Sequence, residues 1–349
     1  MQQRGDRSDQ LDLFAPLGAP HAPAPGRSGL DARFLSLAPI AAAIPSSIRF
    51  GTSSWSFPGW AGIVYEPGQT ETSLARDGLR QYVRHPLLRT VGIDRSYYRP
   101  LSTVDLVRYA GQVPAGFPCC AKVPAVYTTR VHLGHGSQPR GSPNPAFLDP
   151  LRFTDEVAAP VLEVFRDHMG PLILEFPPMP RAHRIAPAAF VDQLERFLTS
   201  IPRELPVAVE VRDDRLLTPE YARMLARCGA GHVYNYWTAM PMPADQVNLV
   251  PLSTARFVVV RLLLRPGTRY DERKNAFAPF DRIVDANEQM RAQVWALLRS
   301  CIRDGRAAFV LVNNKAEGSA PLTIEALAAG LLDAVSHTTL PPEVQPGPV

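Results

Sequence analysis

Eight short runs rich in β-branched and aromatic residues punctuate the chain between residues 48 and 314, and amphipathic, helix-like spacing fills the intervals between them. The runs are IRFGTSSW (48–55), RTVGIDRSYY (89–98), FPCCAKVPA (117–125), GPLILEFPP (170–178), PVAVEVRD (206–213), GHVYNYW (231–237), RFVVVRLLL (256–264) and AAFVLVNN (307–314). Strand and helix patterns in alternation predict βα units around a parallel sheet. Eight such units predict a closed TIM-type (β/α)8 barrel of the α/β class. Three helix starts are expected: at Ser73, at Thr218 with Pro219 in the first turn, and at Asp285. After Asp285, Met290, Val294, Leu297, Leu298 and Cys301 recur at helical spacing and should face the sheet. Residues 238–255 hold too many prolines for a full helix, so the sixth repeat should be irregular. The connections at 126–154 and 265–284 are long and rich in Gly and Pro, and both leave carboxyl ends of strands, where barrels carry their active loops.

Composition supports that architecture. A chain of 349 residues with 46% hydrophobic content can bury one large core, which excludes a wholly disordered protein. Cys119, Cys120, Cys228 and Cys301 have neither CxxC spacing nor the density of a disulfide framework, so a reducing, cytoplasmic setting is expected and a structural zinc is not. The longest apolar run, FVVVRLLL, is interrupted by Arg261, and no secretory or membrane-spanning segment is expected. Of 37 Lys and Arg residues only Lys122, Lys274 and Lys315 are lysine, leaving 34 arginines, a bias of coding that makes the net charge of +4 weak support for a polyanion partner.

Residues 1–45 are rich in Pro, Ala, Gly and Ser without sustained period, and the expectation is a disordered tail, matched by a short flexible segment at 336–349 flanking a barrel over 46–335. Within the tail stands Gln10-Leu11-Asp12-Leu13-Phe14. This pentapeptide resembles the Gln-Leu-Ser/Asp-Leu-Phe peptide by which bacterial replication and repair proteins dock on the sliding clamp. Leu13 and Phe14 would fill an apolar pocket, Leu11 would flank it and the Gln10 amide would fix register. The stretch from Ala15 onward would then be a tether of about 30 Å. The bland alternative is an amphipathic scrap that folds back on the barrel.

The carboxyl ends of the strands carry Asp94, Lys122, Glu175, Glu210, Arg212, Arg261, Asn313 and Asn314 where barrel interiors are otherwise apolar. Glu210 and Arg212 share one face of their strand, with Val209 and Val211 on the other. One reading is an ion-pair layer that plugs the mouth. The other is a site in which Lys122, Arg212 and Arg261 bind an anionic group while Glu175, Glu210 or Lys122 moves a proton, as in a hydrolase or lyase. Trp55 and Tyr98 near the first two strand ends, and Tyr270 in the RPGTRYDERKNAF loop, could stack on a substrate, although packing is the ordinary role of such aromatics. The eight histidines form no zinc-ligand pattern, whereas Asp94, Glu175 and Glu210 could hold Mg²⁺ or Mn²⁺; no cofactor is required by the sequence.

The blocks GTSSWSFPGWAGIVYEPG, VGIDRSYYR, AKVP, LILEFPP, VEVR, VVVR and VLVNN with a following AEGSAP resemble, in order, those of the YecE-like family (domain of unknown function 72) over residues 48–332. Gly51, Ser53, Trp55, Trp60, Tyr65, Tyr98, Lys122, Pro177, Glu210, Arg212, Arg261 and Asn314 fall on the family's pattern. Gly92 stands where the pattern usually has Glu, Glu175 where it has Gln, and Leu263-Leu264 where it has His-Gly, which marks a divergent branch. The resemblance implies a TIM-type barrel and no established activity. The leading functional expectation is a clamp-recruited barrel protein acting on a phosphate-bearing substrate, with nucleic acid the favoured class. The alternatives are an enzyme of small phosphorylated or sugar-like metabolites, glycoside hydrolysis among them, and a non-catalytic adaptor.

Overall fold

The computed structural model describes residues 29–132, 134 and 139–336. The pentapeptide at 10–14, His135 and the segment 337–349 lie outside the described residues. Eight strands, β1 (Ile48–Thr52), β2 (Leu88–Ile93), β3 (Cys119–Lys122), β4 (Met169–Phe176), β5 (Val207–Val211), β6 (Gly231–Tyr236), β7 (Phe257–Leu262) and β8 (Ala307–Val312), close into one barrel in sequential order. Every neighbouring pair is parallel, and β8 returns to β1 with Ile48 opposite Ala308 and Thr52 opposite Val312. The seam between β1 and β2 is tight. A Cβ at Gly51 would lie 2.1 Å from the Thr90 carbonyl oxygen and one at Gly92 would lie 2.9 Å from that of Ser53, so only glycine lets these strands approach.

Alternation along the strands separates two cores. Cys120, Ile173, Ala208, Val233, Val259, Phe309 and Leu311 fill the barrel interior, while their neighbours Leu174, Val209, Val211, Val260 and Val312 join the larger cluster between sheet and helices. The helix Glu288–Arg303 buries Met290, Val294, Leu297, Leu298 and Cys301, as its spacing predicts. The sixth repeat is irregular, with a seven-residue helix Pro243–Leu249 and a 3-10 turn Leu252–Thr254 in place of a full helix. Among the described residues no helix is long and apolar enough to cross a membrane.

Four local expectations are corrected. Residues Gly29–Ala43, read as part of an unstructured tail, form a helix. Leu30, Leu37, Ala41 and Ile44 are buried, and Arg33 grips the Glu325 carboxylate of the last helix, Ala320–Ser336, through two 2.7 Å bonds. Pro39 and the surrounding alanines blur the apolar stripe, which is why the period is hard to see in the sequence. The second helix starts at Thr70 rather than Ser73: the Thr70 hydroxyl accepts from the Ser73 amide and the Ser73 hydroxyl accepts from that of Thr70. Asn287, not Asp285, caps Glu288–Arg303, accepting from Met290 N at 2.9 Å. The connection after β7 is not all loop, because Tyr270–Phe277 is helical. Thr218 does cap its helix, accepting from Tyr221 N at 3.2 Å.

On the outer side of β6, His232 is fully buried between the Tyr221 hydroxyl (3.1 Å) and Gln246 Oε1 (3.2 Å). Burial lowers its pKa from 6.5 to about 4, against smaller opposing effects of Gln246 and Glu210. The folded imidazole is therefore neutral in a window where the unfolded one is charged. This contribution to stability is complete above pH 6.5 and is lost as pH falls to about 4, amounting to about 3 kcal/mol. Urea unfolding of wild type and His232→Gln at pH 7, 6, 5 and 4 should show a flatter decline for the variant; parallel declines would refute the assignment.

Candidate functional site

Because side chains alternate, the last inward positions of β2 to β5 and β7 converge on the barrel axis, and they are occupied by charge. Arg261, at the end of β7, has no exposed surface. Its Nη1 donates to Glu210 Oε2 and, at 3.1 Å, to Glu175 Oε2, while Nη2 donates to Asp94 Oδ1 at 3.1 Å. Arg212 Nε donates to Glu210 Oε1 at 2.9 Å, and its Nη2 forms an ion pair with Glu175 Oε2 at 2.9 Å. Lys122 Nζ lies 2.9 Å from Glu175 Oε2 and 3.6 Å from Asp94 Oδ2. The six residues expected to meet at the mouth thus meet there, three cations against three carboxylates. They pair with one another in a layer rather than lining an empty hollow, with Arg261 Nε left buried and without a partner.

The layer is graded in depth. Arg261, Glu210 and Glu175 are buried, Lys122 and Arg212 keep about a tenth of their side chains exposed and Asp94 keeps 27%. Burial alone would raise the pKa of Glu175, but Arg212, Lys122 and Arg261 outweigh it and hold the carboxyl well below the usual range. Burial likewise opposes the charge on Arg261 and Arg212, and the surrounding carboxylates more than offset it. An ionised Glu175 therefore anchors cations and has no proton to give near neutrality.

On the solvent side the layer meets aromatic rings. Lys122 Nζ is 4.9 Å from the centroid of Tyr97, and the Arg212 guanidinium lies 4.1 Å above Trp237, whose Nε1 is buried without a partner. Lys315, just beyond β8, is 7% exposed, and its ammonium is 4.3 Å from the centroid of Tyr270. Burial pushes Lys315 down to about 8; Asp94 opposes, and Lys274 and Lys122 add to the shift. Trp237 and Lys315 lie outside the sequence-derived set, although Trp237 shares its strand face with Val233 and Asn235, and Lys315 directly follows the expected Asn313-Asn314 pair.

The remaining expected residues are placed elsewhere or act locally. Trp55 is buried, donates to the Leu74 carbonyl at 2.9 Å and packs edge-on to Tyr109 behind β1, away from the mouth. Tyr98 is 75% exposed and packs against Tyr97, ring to ring at 5.7 Å. Asn314 accepts from Trp60 Nε1 at 3.1 Å and from Ala320 N at 2.8 Å, tying the first loop to the last helix, and its Nδ2 is buried without a partner. Asn313 accepts from the Lys315 amide at 3.1 Å and so shapes the turn that presents Lys315. Among the described residues no group of three or more His, Cys, Asp or Glu is arranged for a metal ion, and the carboxylates of Asp94, Glu175 and Glu210, the expected donors for Mg²⁺ or Mn²⁺, are already met by three cationic side chains. A cavity of about 740 Å³ lies at the opposite end, against Leu205, Val207, Ala230 and Phe257 where strands begin, with Arg256 and Arg306 at its wall. In barrels that face serves stability more than chemistry.

With the geometry in place, comparison with known proteins decides the lineage. The family model described as "Protein of unknown function DUF72" matches residues 49–346. The chain belongs to the DUF72 family. Among solved structures it resembles a DUF72 family protein from Thermotoga maritima, with 21% identity, a TM-score of 0.56 and coverage of 82% of this chain and 99% of that one. It also resembles a DUF72 family protein from Enterococcus faecalis, with 16% identity, a TM-score of 0.52 and coverage of 82% and 97%. These likenesses show the shared barrel. No curated protein matches.

Breaking a buried ion pair strands a charge, which costs about 3–5 kcal/mol. Arg261→Met should therefore lower the free energy of urea unfolding by about that amount. Adding Glu210→Gln to it should cost much less than the sum of the two single changes. Additive losses would mean that the two groups do not depend on each other.

Proposed function

We propose that this DUF72 protein binds and acts on a phosphate-bearing substrate, with nucleic acid the favoured class, at the carboxyl end of its barrel. The observation that carries the reading is an excess of cations over carboxylates at the mouth, on and beside a layer of paired charges. Lys122, Arg212, Arg261 and Lys315 face three carboxylates, and Lys274 adds to the field at Lys315. The deep pairs fix the guanidinium and ammonium groups in place before a ligand arrives, so little side-chain ordering remains to oppose binding. Lys122 and Arg212 retain N–H groups beyond those given to Glu175, Glu210 and Asp94, in the geometry suited to phosphate oxygens. Tyr97, Tyr98, Trp237 and Tyr270 offer ring faces at the same rim, which suits bases or sugars beside the phosphate. In this reading Glu175 and Glu210 set the cation array, and Asp94, the most exposed carboxylate, is the group best placed to exchange a proton.

Calorimetry with single-stranded DNA, RNA and sugar phosphates distinguishes the substrate classes. Binding of nucleic acid should weaken as salt rises, and Arg212→Ala should weaken it at least tenfold. A preference for sugar phosphates with no nucleic-acid affinity would favour the small-metabolite reading, and no binding at all would favour an adaptor.

Docking on the sliding clamp through Gln10, Leu11, Asp12, Leu13 and Phe14 is the second part of the proposal. It rests on the match of all five residues to the clamp-binding pattern. A clamp pull-down should retain wild type and lose the Leu13→Ala/Phe14→Ala variant; equal retention would remove the idea.

A further inference from the structure

All three lysines of a chain with 34 arginines gather at the barrel mouth. Lys122 ends β3, Lys315 follows β8, and Lys274 lies on the helix Tyr270–Phe277, close enough for its charge to act on Lys315. Arginine supplies positive charge nearly everywhere else in this molecule. Lysine differs in one chemical respect that matters here: an ammonium can lose its proton and become a nucleophile, whereas a guanidinium stays charged.

The three are not equivalent. Lys122 is held by Glu175 and Asp94. Lys274 is exposed. Lys315 is buried, and among the described residues no carboxylate oxygen lies within 4 Å of its nitrogen. Its side chain sits against the face of Tyr270, and its backbone is pinned by the bond from its amide to Asn313 Oδ1. The charged groups around it are Asp94 from the end of β2, Lys122 from β3 and Lys274 from the helix after β7.

We propose that Lys315 is a nucleophilic amine that condenses with an aldehyde or ketone carbonyl, so that the substrate carries a carbonyl carbon close to a phosphate ester. The phosphate half of this statement rests on the reading of the mouth given above; the amine half stands on Lys315 itself. The unprotonated nitrogen attacks the carbonyl carbon, and the C=O π pair moves to oxygen. One nitrogen proton passes to that oxygen, and loss of the second with the hydroxyl releases water and leaves an imine. Lys122 and Arg212 across the mouth would hold the phosphate. With its pKa at about 8, roughly a tenth of the Lys315 amines are free at pH 7, about three-hundredfold more than for an ordinary lysine. Sugar phosphates and the aldehyde form of an abasic site in DNA share this chemistry.

The test is reductive trapping of the full chain with cyanoborohydride and three probes: glyceraldehyde 3-phosphate, a single-stranded oligonucleotide with one abasic site, and unphosphorylated glyceraldehyde. Peptide mapping should find one adduct, the probe less one oxygen atom, on Lys315 and at least ten times more slowly on Lys122 or Lys274. Its rate should be half-maximal near pH 8 and the adduct should vanish in Lys315→Arg and Lys315→Met, whose folding is checked by thermal melting. The faster of the two phosphorylated arms identifies the source of the substrate. Equal labelling of the three lysines, or no adduct with any probe, overturns the assignment of Lys315. If phosphorylated probes bind by calorimetry yet form no adduct, the amine chemistry fails and the phosphate reading survives. If glyceraldehyde labels Lys315 as fast as its phosphate does, the phosphate half fails and the amine half survives.

Discussion

A guanidinium with no solvent exposure, Arg261, sits among the ends of five strands, and the rest of the mouth is arranged around it. It cannot shed its proton, so its burial is tolerable only with carboxylates beside it. Glu210, Glu175 and Asp94 supply them from β5, β4 and the end of β2. Those carboxylates in turn draw in Lys122 and Arg212. The outcome is a cross-linked layer above an apolar interior, in which no member can be removed without stranding another.

That chain of dependence holds the outer face of the layer in a fixed arrangement. The deeper bonds fix the positions of the outer groups, and the outer groups carry the unspent hydrogen-bonding capacity. Glu175 is central: its Oε2 meets three cations. A neutral side chain there would leave the three cations with two carboxylates. Gly92 is fixed by packing, since the approach of β2 to β1 leaves no room for a side chain.

The barrel was legible because period-two alternation and eight regularly spaced runs are strong, local signals. The converging charges were legible for the same reason: Glu210 and Arg212 share a strand face, and polar residues at inward positions of an otherwise apolar sheet stand out. Trp55 was misplaced because an aromatic beside a strand end looks alike whether it faces the axis or the helices, and its turn carries it behind β1. The helix Gly29–Ala43 was hidden because it docks on the final helix, where Arg33 pairs with Glu325, a contact nearly three hundred positions apart. Lys315 was passed over because nothing in its sequence neighbourhood reveals that Tyr270 covers it. Its rarity as one of three lysines is the signal that the sequence offers.

With only three lysines, the charge state of the mouth can be read directly. In protein labelled with ¹³C at the lysine ε carbons, three resonances should appear, assigned through Lys315→Arg. The Lys315 signal should titrate near pH 8, and its midpoint should move upward when inorganic phosphate is added, because an anion at the mouth favours the ammonium. A Lys315 signal that titrates with the ordinary lysine midpoint of 10.5 and ignores phosphate would contradict that expectation.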